Sequence, residues 1–301
     1  MNSKRTFRRA IAGASILALG MTATACGSDD DADAGDGENK TITMGIIPSW
    51  TDGLSMAYLW KDVLEDEGYT VEIEEISEAA PLYTGLANGD IDIYPSAWPE
   101  VTHADYMEQY GDDIEDLGTY YDQAKLTFAV PEYSDMTSIA DLKDHVDDLD
   151  GKITGIEPGA GLTRVTKESV MPAYGLDEDF TLVESSTTAM LAALKKATDS
   201  EEDIVVTLWR PFWANSAFPV KDLEDPEGAL GEAEGLHELG RTGFAEDYPD
   251  AAEMIGNAVL TDEQYGSLED MVVNEYGQGK ESEAVAAWLE ENPDWLESIQ
   301  G

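Results

Sequence analysis

The sequence predicts a two-lobed α/β protein, and three features of the 301-residue chain carry that reading. From Thr41 onward, short apolar runs of strand length alternate with amphipathic helical stretches, the pattern of a parallel or mixed sheet. The alternation comes in two successive sets, and a mostly helical tail over residues 248–299 follows them. About 260 residues remain once a leader and a linker are set aside, enough for two lobes around a cleft.

In the first set, residues 41–47 read as a buried strand. A helix opened by Asp52 follows, with Met56, Leu59, Trp60, Val63 and Leu64 on one face. Gly68 ends it. Residues 69–76 alternate as a strand, 81–88 form a short helix closed by Gly89, and 91–94 form another strand. The second set runs through strands at 125–130, 152–156, 180–184 and 204–208. Its helices lie at 139–146, 163–174 and 188–196. These segments divide the chain into a first lobe over 41–126, a second over 127–235, and a return to the first over 236–301. The two sets share no repeat at the level of sequence identity.

Ahead of the fold, Lys4, Arg5, Arg8 and Arg9 precede an apolar run over 10–21, then small residues and Cys26. A basic head, a short apolar run and a small-residue exit make residues 1–25 a secretory signal, with the run too short for a permanent span. A lone cysteine at that place resembles a bacterial lipidation site, although Ala23 stands where leucine is usual. The alternative is a soluble secreted protein with a stray cysteine. Arg8-Arg9 also suits twin-arginine export, in a weak surrounding pattern. Residues 27–40, GSDDDADAGDGENK, carry no apolar periodicity and read as a disordered tether that reaches ~45–50 Å when extended. Cys26 is the one cysteine, so no disulfide supports the fold.

Sixty-four acidic residues face seventeen basic ones, four of them in the leader, so the remainder carries a net charge of −51. Nucleic acid is excluded as a partner. Self-repulsion at this charge is relieved where salt shortens the Debye length to roughly 3 Å at 1 M. The charge therefore reads as halophilic adaptation to a salt-rich exterior. Calcium is the rival explanation, but no EF-hand spacing is present. The three histidines, His103, His145 and His237, are scattered, so neither a metal site nor a cofactor is expected.

Three tryptophans lie just past expected strands: Trp50 in GIIPSW, Trp98 in SAWPEVTH and Trp209 in TLWRPFW. Trp60, Trp288 and Trp295 instead sit on helix faces and read as core. Position alone leaves core packing the better explanation for the first three as well, with convergence on one cleft as the alternative. Indole faces attract cations, by ~2 kcal/mol or more when desolvated. A trimethylammonium group, which has no N–H to donate, suits such a cluster. Sugars stack on tryptophan too.

Residues 57–69 (AYLWKDVLEDEGY), 86–103 (LANGDIDIYPSAWPEVTH), 155–162 (GIEPGAGL), 185–196 (SSTTAMLAALKK) and 207–213 (TLWRPFW) resemble the glycine betaine/proline betaine-binding proteins of osmoprotectant ABC importers. The resemblance covers most of the chain from Thr41. It implies a type II periplasmic-binding-protein-like clamp with the ligand cleft between lobes. It also implies a cage of Trp50, Trp98 and Trp209 around the trimethylammonium, and a ligand carboxylate met by His103 and by the backbone amides of Gly161 and Leu162. A glycine-rich turn at a helix N-terminus offers unpaired donors to an anion on general grounds, though glycine is common in any such turn. Arg210 and Phe212 depart from the Thr and His that the family often carries. Arg210 either reaches the carboxylate or pairs with a surface acid, the latter being favoured, and Tyr83 and Trp213 either line the cleft or pack in the core.

The implied role is capture of glycine betaine or a related betaine at the cell surface, by a monomer held to the membrane through a lipid on Cys26. The implied partners are an ABC permease and its ATPase. Choline, carnitine or a sugar are alternative ligands. A secreted hydrolase is a further alternative, although no G-x-S-x-G, H-E-x-x-H or Cys–His arrangement is present.

Overall fold

The computed structural model describes residues 40–300. The leader, Cys26 and the tether up to residue 39 lie outside the described residues. The first strand, β1 (Thr41–Ile46), buries Ile42, Met44 and Ile46 completely or nearly so. Helix α1 (Thr51–Asp66) buries Met56, Leu59, Trp60, Val63 and Leu64, the i, i+3, i+4, i+7, i+8 stripe of an amphipathic helix. Then come β2 (Thr70–Glu75), α2 (Ala79–Asn88), β3 (Ile93–Ala97) and α3 (Ala104–Tyr110). Gly89 closes α2 in the left-handed region at φ 77°, a conformation that glycine adopts without Cβ strain.

An 18-residue strand, β4 (Ile114–Pro131), follows. After a 3-10 turn at Ile139–His145 come β5 (Lys152–Thr154) and α4 (Gly161–Val165). Helix α4 runs on through a π-helical turn (Thr166–Val170) into α5 (Met171–Tyr174). Next are β6 (Thr181–Val183), α6 (Thr187–Ser200), β7 (Val206–Arg210), α7 (Ala214–Ala217), β8 (Val220–Asp222) and β9 (Glu234–Arg241). The tail holds α8 (Phe244–Asp247), α9 (Pro249–Asn257), α10 (Asp262–Asp270), a π-helical turn (Met271–Tyr276), α11 (Glu281–Glu291) and α12 (Pro293–Ile299).

The strands run in the order β2-β1-β3-β9-β4-β7-β5-β6, with β8 beside the far end of β4. At one end β1 is parallel to β2 and β3; at the other β5 is parallel to β6 and β7. Between them β9 and β4 run antiparallel to each other and to their outer neighbours β3 and β7. Each half is therefore the same unit, three parallel strands beside one antiparallel strand. The 2-1-3 order of the first half answers the 6-5-7 order of the second. This repeat is carried by topology with no matching residues. β4 passes through both halves without a break, pairing β9 from Ile114 to Ala124 and β7 from Lys125 to Ala129.

Several elements differ from the sequence expectation. The first part of β4, and β9 entire, carry no clear apolar alternation. In β9, Glu234, His237 and Glu238 are buried polar residues that hydrogen-bond partners elsewhere in the fold. A low-hydrophobicity segment can thus become an inner strand. The expected helix at 139–146 is a 3-10 turn with a Ser138–Asp141 capping box. β7 ends at Arg210 rather than 208, which puts Trp209 inside a strand.

The core beneath the first half is aromatic. Trp60 and Trp288 are fully buried, and Trp295 lies 6.2 Å from the first and 5.4 Å from the second between ring centroids. These are the three tryptophans expected on helix faces. Burying a Leu- to Phe-sized side chain stabilises by about 1.5–3 kcal/mol, and an indole removes more surface from water still. No helix among the described residues is long and apolar enough to cross a membrane.

Candidate functional site

In each half, the loops after the first and third parallel strands face the opposite half. Trp50 follows β1, Trp98 follows β3, Gly161 and Leu162 follow β5, and Trp209 lies on β7. Carboxyl ends of strands in open α/β sheets are where loops converge on ligands. Here they shape a cavity lined by Trp50, Trp98, His103, Gly161, Leu162 and Trp209, with Asp52, Thr102, Leu126, Ile156 and Ala160 completing the wall. All six residues singled out by resemblance meet in one place.

The rings are held from behind. Trp98 donates its indole N–H to Asp52 Oδ2 at 3.0 Å, and Ser96 donates to the same oxygen at 2.7 Å. Burial raises the Asp52 carboxyl above its ordinary value, against the lowering effect of those two bonds. Trp50 donates its indole N–H to Glu157 at 3.2 Å and stacks on His103 at 5.9 Å between ring centroids. Trp209 stacks on Phe212 at 4.1 Å with 22° between the planes. Phe212, whose apolar side chain replaces a polar one common in the resembled family, thus supports the third indole.

The tautomer of His103 follows from its neighbours. The backbone N–H of Trp98 reaches Nδ1 at 3.1 Å, and an amide can only donate, so Nδ1 is an acceptor. Tyr83 Oη lies 3.0 Å from the same nitrogen. The neutral ring therefore carries its proton on Nε2. Burial, helped by the Arg164 guanidinium, lowers the His103 pKa to about 3, so the ring is a neutral N–H donor at ordinary pH.

Opposite His103, Gly161 and Leu162 open α4. Amides in a first helical turn have no partner within their helix and favour anions. Gly161 packs so closely on the 98–103 loop that a Cβ there would sit 1.8 Å from Thr102 O. More bonds cross between the halves nearby: Arg164 Nη2 donates to Val101 O at 2.9 Å, and Tyr106 Oη donates to Gly159 O at 2.9 Å.

Arg210 and Tyr83 have other places. Arg210 forms a fork onto Asp222, Nε to Oδ2 at 2.6 Å and Nη2 to Oδ1 at 3.0 Å, which is the favoured surface pairing. It lies outside the cavity lining, as does Tyr83, which is fully buried behind His103. Trp213 lines a separate crevice with Arg210, Phe212 and α10 residues.

Three indoles, an imidazole and the first residues of a helix thus line one cavity. Residues 40–291 match the family described as the substrate binding domain of ABC-type glycine betaine transport systems. The chain belongs to this family. A glycine betaine/carnitine transport binding protein of Listeria monocytogenes is 34% identical over 163 residues. That match covers 52% of this chain and only about half, 53%, of the relative's length. The crystal structure of a glycine betaine/L-proline-binding protein from Borrelia burgdorferi superposes with a TM-score of 0.80 at 32% identity, covering 86% of this chain and 96% of that one. Lactococcal OpuAC, in its closed-liganded conformation with glycine betaine, gives a TM-score of 0.80 at 27% identity, covering 87% of this chain and 99% of that one.

Within this family fold, sequence reasoning missed five wall residues. Asp52 read as a helix opener, and its spacing of two from Trp50 was the available signal. Ile156 and Ala160 lie inside the GIEPGAGL stretch, and Thr102 lies beside His103. Leu126 carries no local signal; it reaches the wall because β4 pairs it with Trp209.

Proposed function

We propose that the chain captures glycine betaine or a closely related betaine, its trimethylammonium among Trp50, Trp98 and Trp209 and its carboxylate on His103, Gly161 and Leu162. The observation that carries this reading is one cavity lined by three indoles, an imidazole and the first residues of a helix. The cage attracts a cation without requiring it to donate a hydrogen bond. The same lining offers neutral donors, which suit a carboxylate. Glycine betaine has eight non-hydrogen atoms, so the ceiling of about 1.5 kcal/mol per atom allows roughly 12 kcal/mol. Micromolar affinity needs about 8 kcal/mol.

In this reading the protein works outside the cytoplasmic membrane, anchored through a lipid on Cys26 and free of catalysis. It delivers its ligand as a monomer to an ABC permease and ATPase. Closure of the two halves around the ligand follows from the ligand's contacts with both. A large surface charge steers a zwitterion little, so the acidic surface serves solubility in salt.

Choline is the second reading, favoured by Asp52. Its carboxylate lines the same cavity and offers an acceptor for a hydroxyl. Choline would nevertheless leave the donors of His103, Gly161 and Leu162 without an anion, at ~1–3 kcal/mol for each unpaired group. Calorimetry in molar salt with glycine betaine, proline betaine, carnitine and choline tests the order. Betaines are expected to bind more tightly, and choline binding as tightly as betaine would refute the assignment.

A further inference from the structure

We propose that Glu157 is a positioning residue for Trp50, ties its indole to the opposite half, and thereby couples ligand affinity to closure; the proposal rests on the betaine-cage reading. Glu157 lies between β5 and α4 and is 6% exposed. Its Oε1 accepts from the Thr187 amide at 2.9 Å and from Ser49 Oγ at 3.2 Å. Its Oε2 accepts from Thr187 Oγ1 at 2.8 Å and from the Trp50 indole N–H at 3.2 Å. Thr187 opens α6 in the same half as Glu157, whereas Ser49 and Trp50 belong to the other half. Each carboxylate oxygen thus takes one bond from its own half and one from across the cavity.

A buried carboxylate is costly unless its lone pairs are satisfied. Here half of the donors arrive only when the halves meet. Separation strips both cross-cavity bonds from Glu157 and releases the indole edge that sets the plane of Trp50. The anion at Nε1 also polarises the indole, making the ring face that meets a cation more negative. Glu157 acts on the ligand through Trp50, without itself lining the cavity.

The chemistry requires a carboxylate at this place. The Thr187 amide and the Trp50 indole are obligate donors, and they sit on different oxygens. An amide side chain turns its NH₂ toward one of them whichever way it is flipped. Removing the indole N–H removes that conflict, because the Thr187 hydroxyl can accept as well as donate.

The test is a double-mutant cycle read by calorimetry with glycine betaine, using the wild type, E157Q, W50F and the double variant. E157Q is expected to weaken binding about tenfold or more when Trp50 is present, as for loss of a charge-assisted hydrogen bond, and less than about threefold in the W50F background. An equal loss in both backgrounds, or no loss with Trp50 present, overturns the proposal. A second measurement needs no Glu157 variant. In the ¹H–¹⁵N spectrum of the wild type, the Trp50 indole resonance, assigned with W50F, is expected to move downfield and gain exchange protection when betaine saturates the site. An indole resonance that betaine leaves unmoved overturns it too. A W50F variant that binds betaine as tightly as wild type sinks the cage reading itself, an outcome distinct from a cage that weakens without coupling to Glu157.

Discussion

Replacing Gly161 by alanine tests the closed arrangement of the site with the smallest possible perturbation. The added methyl would lie 1.8 Å from Thr102 O, 2.6 Å from its carbonyl carbon and 2.7 Å from its Cγ2. Two of these are backbone atoms of the loop that carries Trp98 and His103, so no rotamer change relieves the clash. The halves must part there by about 1.2 Å to reach the 3.0 Å below which such contacts are essentially never found. The same movement stretches the bonds from Arg164 to Val101, from Tyr106 to Gly159 and from Trp50 to Glu157, now 2.9, 2.9 and 3.2 Å, toward or past the limit of a hydrogen bond. At about 1 kcal/mol net for an ordinary bond, and more for the two with charged partners, the loss is ~3 kcal/mol or greater. The half-exposed Arg164–Asp105 pair adds little to this. Betaine should therefore bind at least about a hundredfold more weakly, by calorimetry. Affinity within threefold of wild type, with an unchanged melting temperature, would refute the argument.

His103→Leu should weaken betaine binding by tenfold or more and choline binding much less, since it deletes a donor aimed at the carboxylate; equal losses in calorimetry would remove His103 from that role. The wild-type ring is neutral down to about pH 3, so betaine affinity should stay flat from pH 8 to 5, and a step near 6.5 would contradict the buried, neutral imidazole. The two buried groups act oppositely on stability. The unfolded chain protonates His103 near 6.5 and the folded chain only near 3, so this contribution is present above 6.5 and is lost as pH falls toward 3. Burial instead raises Glu269 from 4.5 to about 8, so its contribution is present below 4.5 and is lost as pH rises through about 8. Glu269→Gln should flatten that alkaline limb in urea titrations, and an unchanged limb would show that Glu269 does not ionise there. The melting temperature should rise as salt goes from dilute to molar, since screening relieves the acidic surface; a fall would argue against the salt-adapted reading.

The residues by themselves determined much of this protein. A buried apolar run located β1, period-two alternation located β2, and amphipathic stretches located α1, α2 and α6, because a buried face must show in sequence. The six residues that line the cavity together were named by the resemblance of short motifs to a known family; position alone left core packing the better explanation for the three tryptophans.

What the tertiary structure alone decided is everything that depends on pairing between distant segments. β9 and the first part of β4 are inner strands whose buried Glu234 and His237 find partners in distant segments, while Glu238 accepts from the Trp60 indole and burial raises its carboxyl well above the ordinary value, none of which a local pattern encodes. For Arg210 the sequence favoured a surface acid without naming it, and the antiparallel pairing of β4 with both β7 and β8 set it beside Asp222. Glu157 looked like one acid among sixty-four. Its four donors come from residues 49, 50 and 187, and only the folded chain brings them to one carboxylate. A hydrogen bond is set by a few ångströms of space, whereas sequence records only separation along the chain.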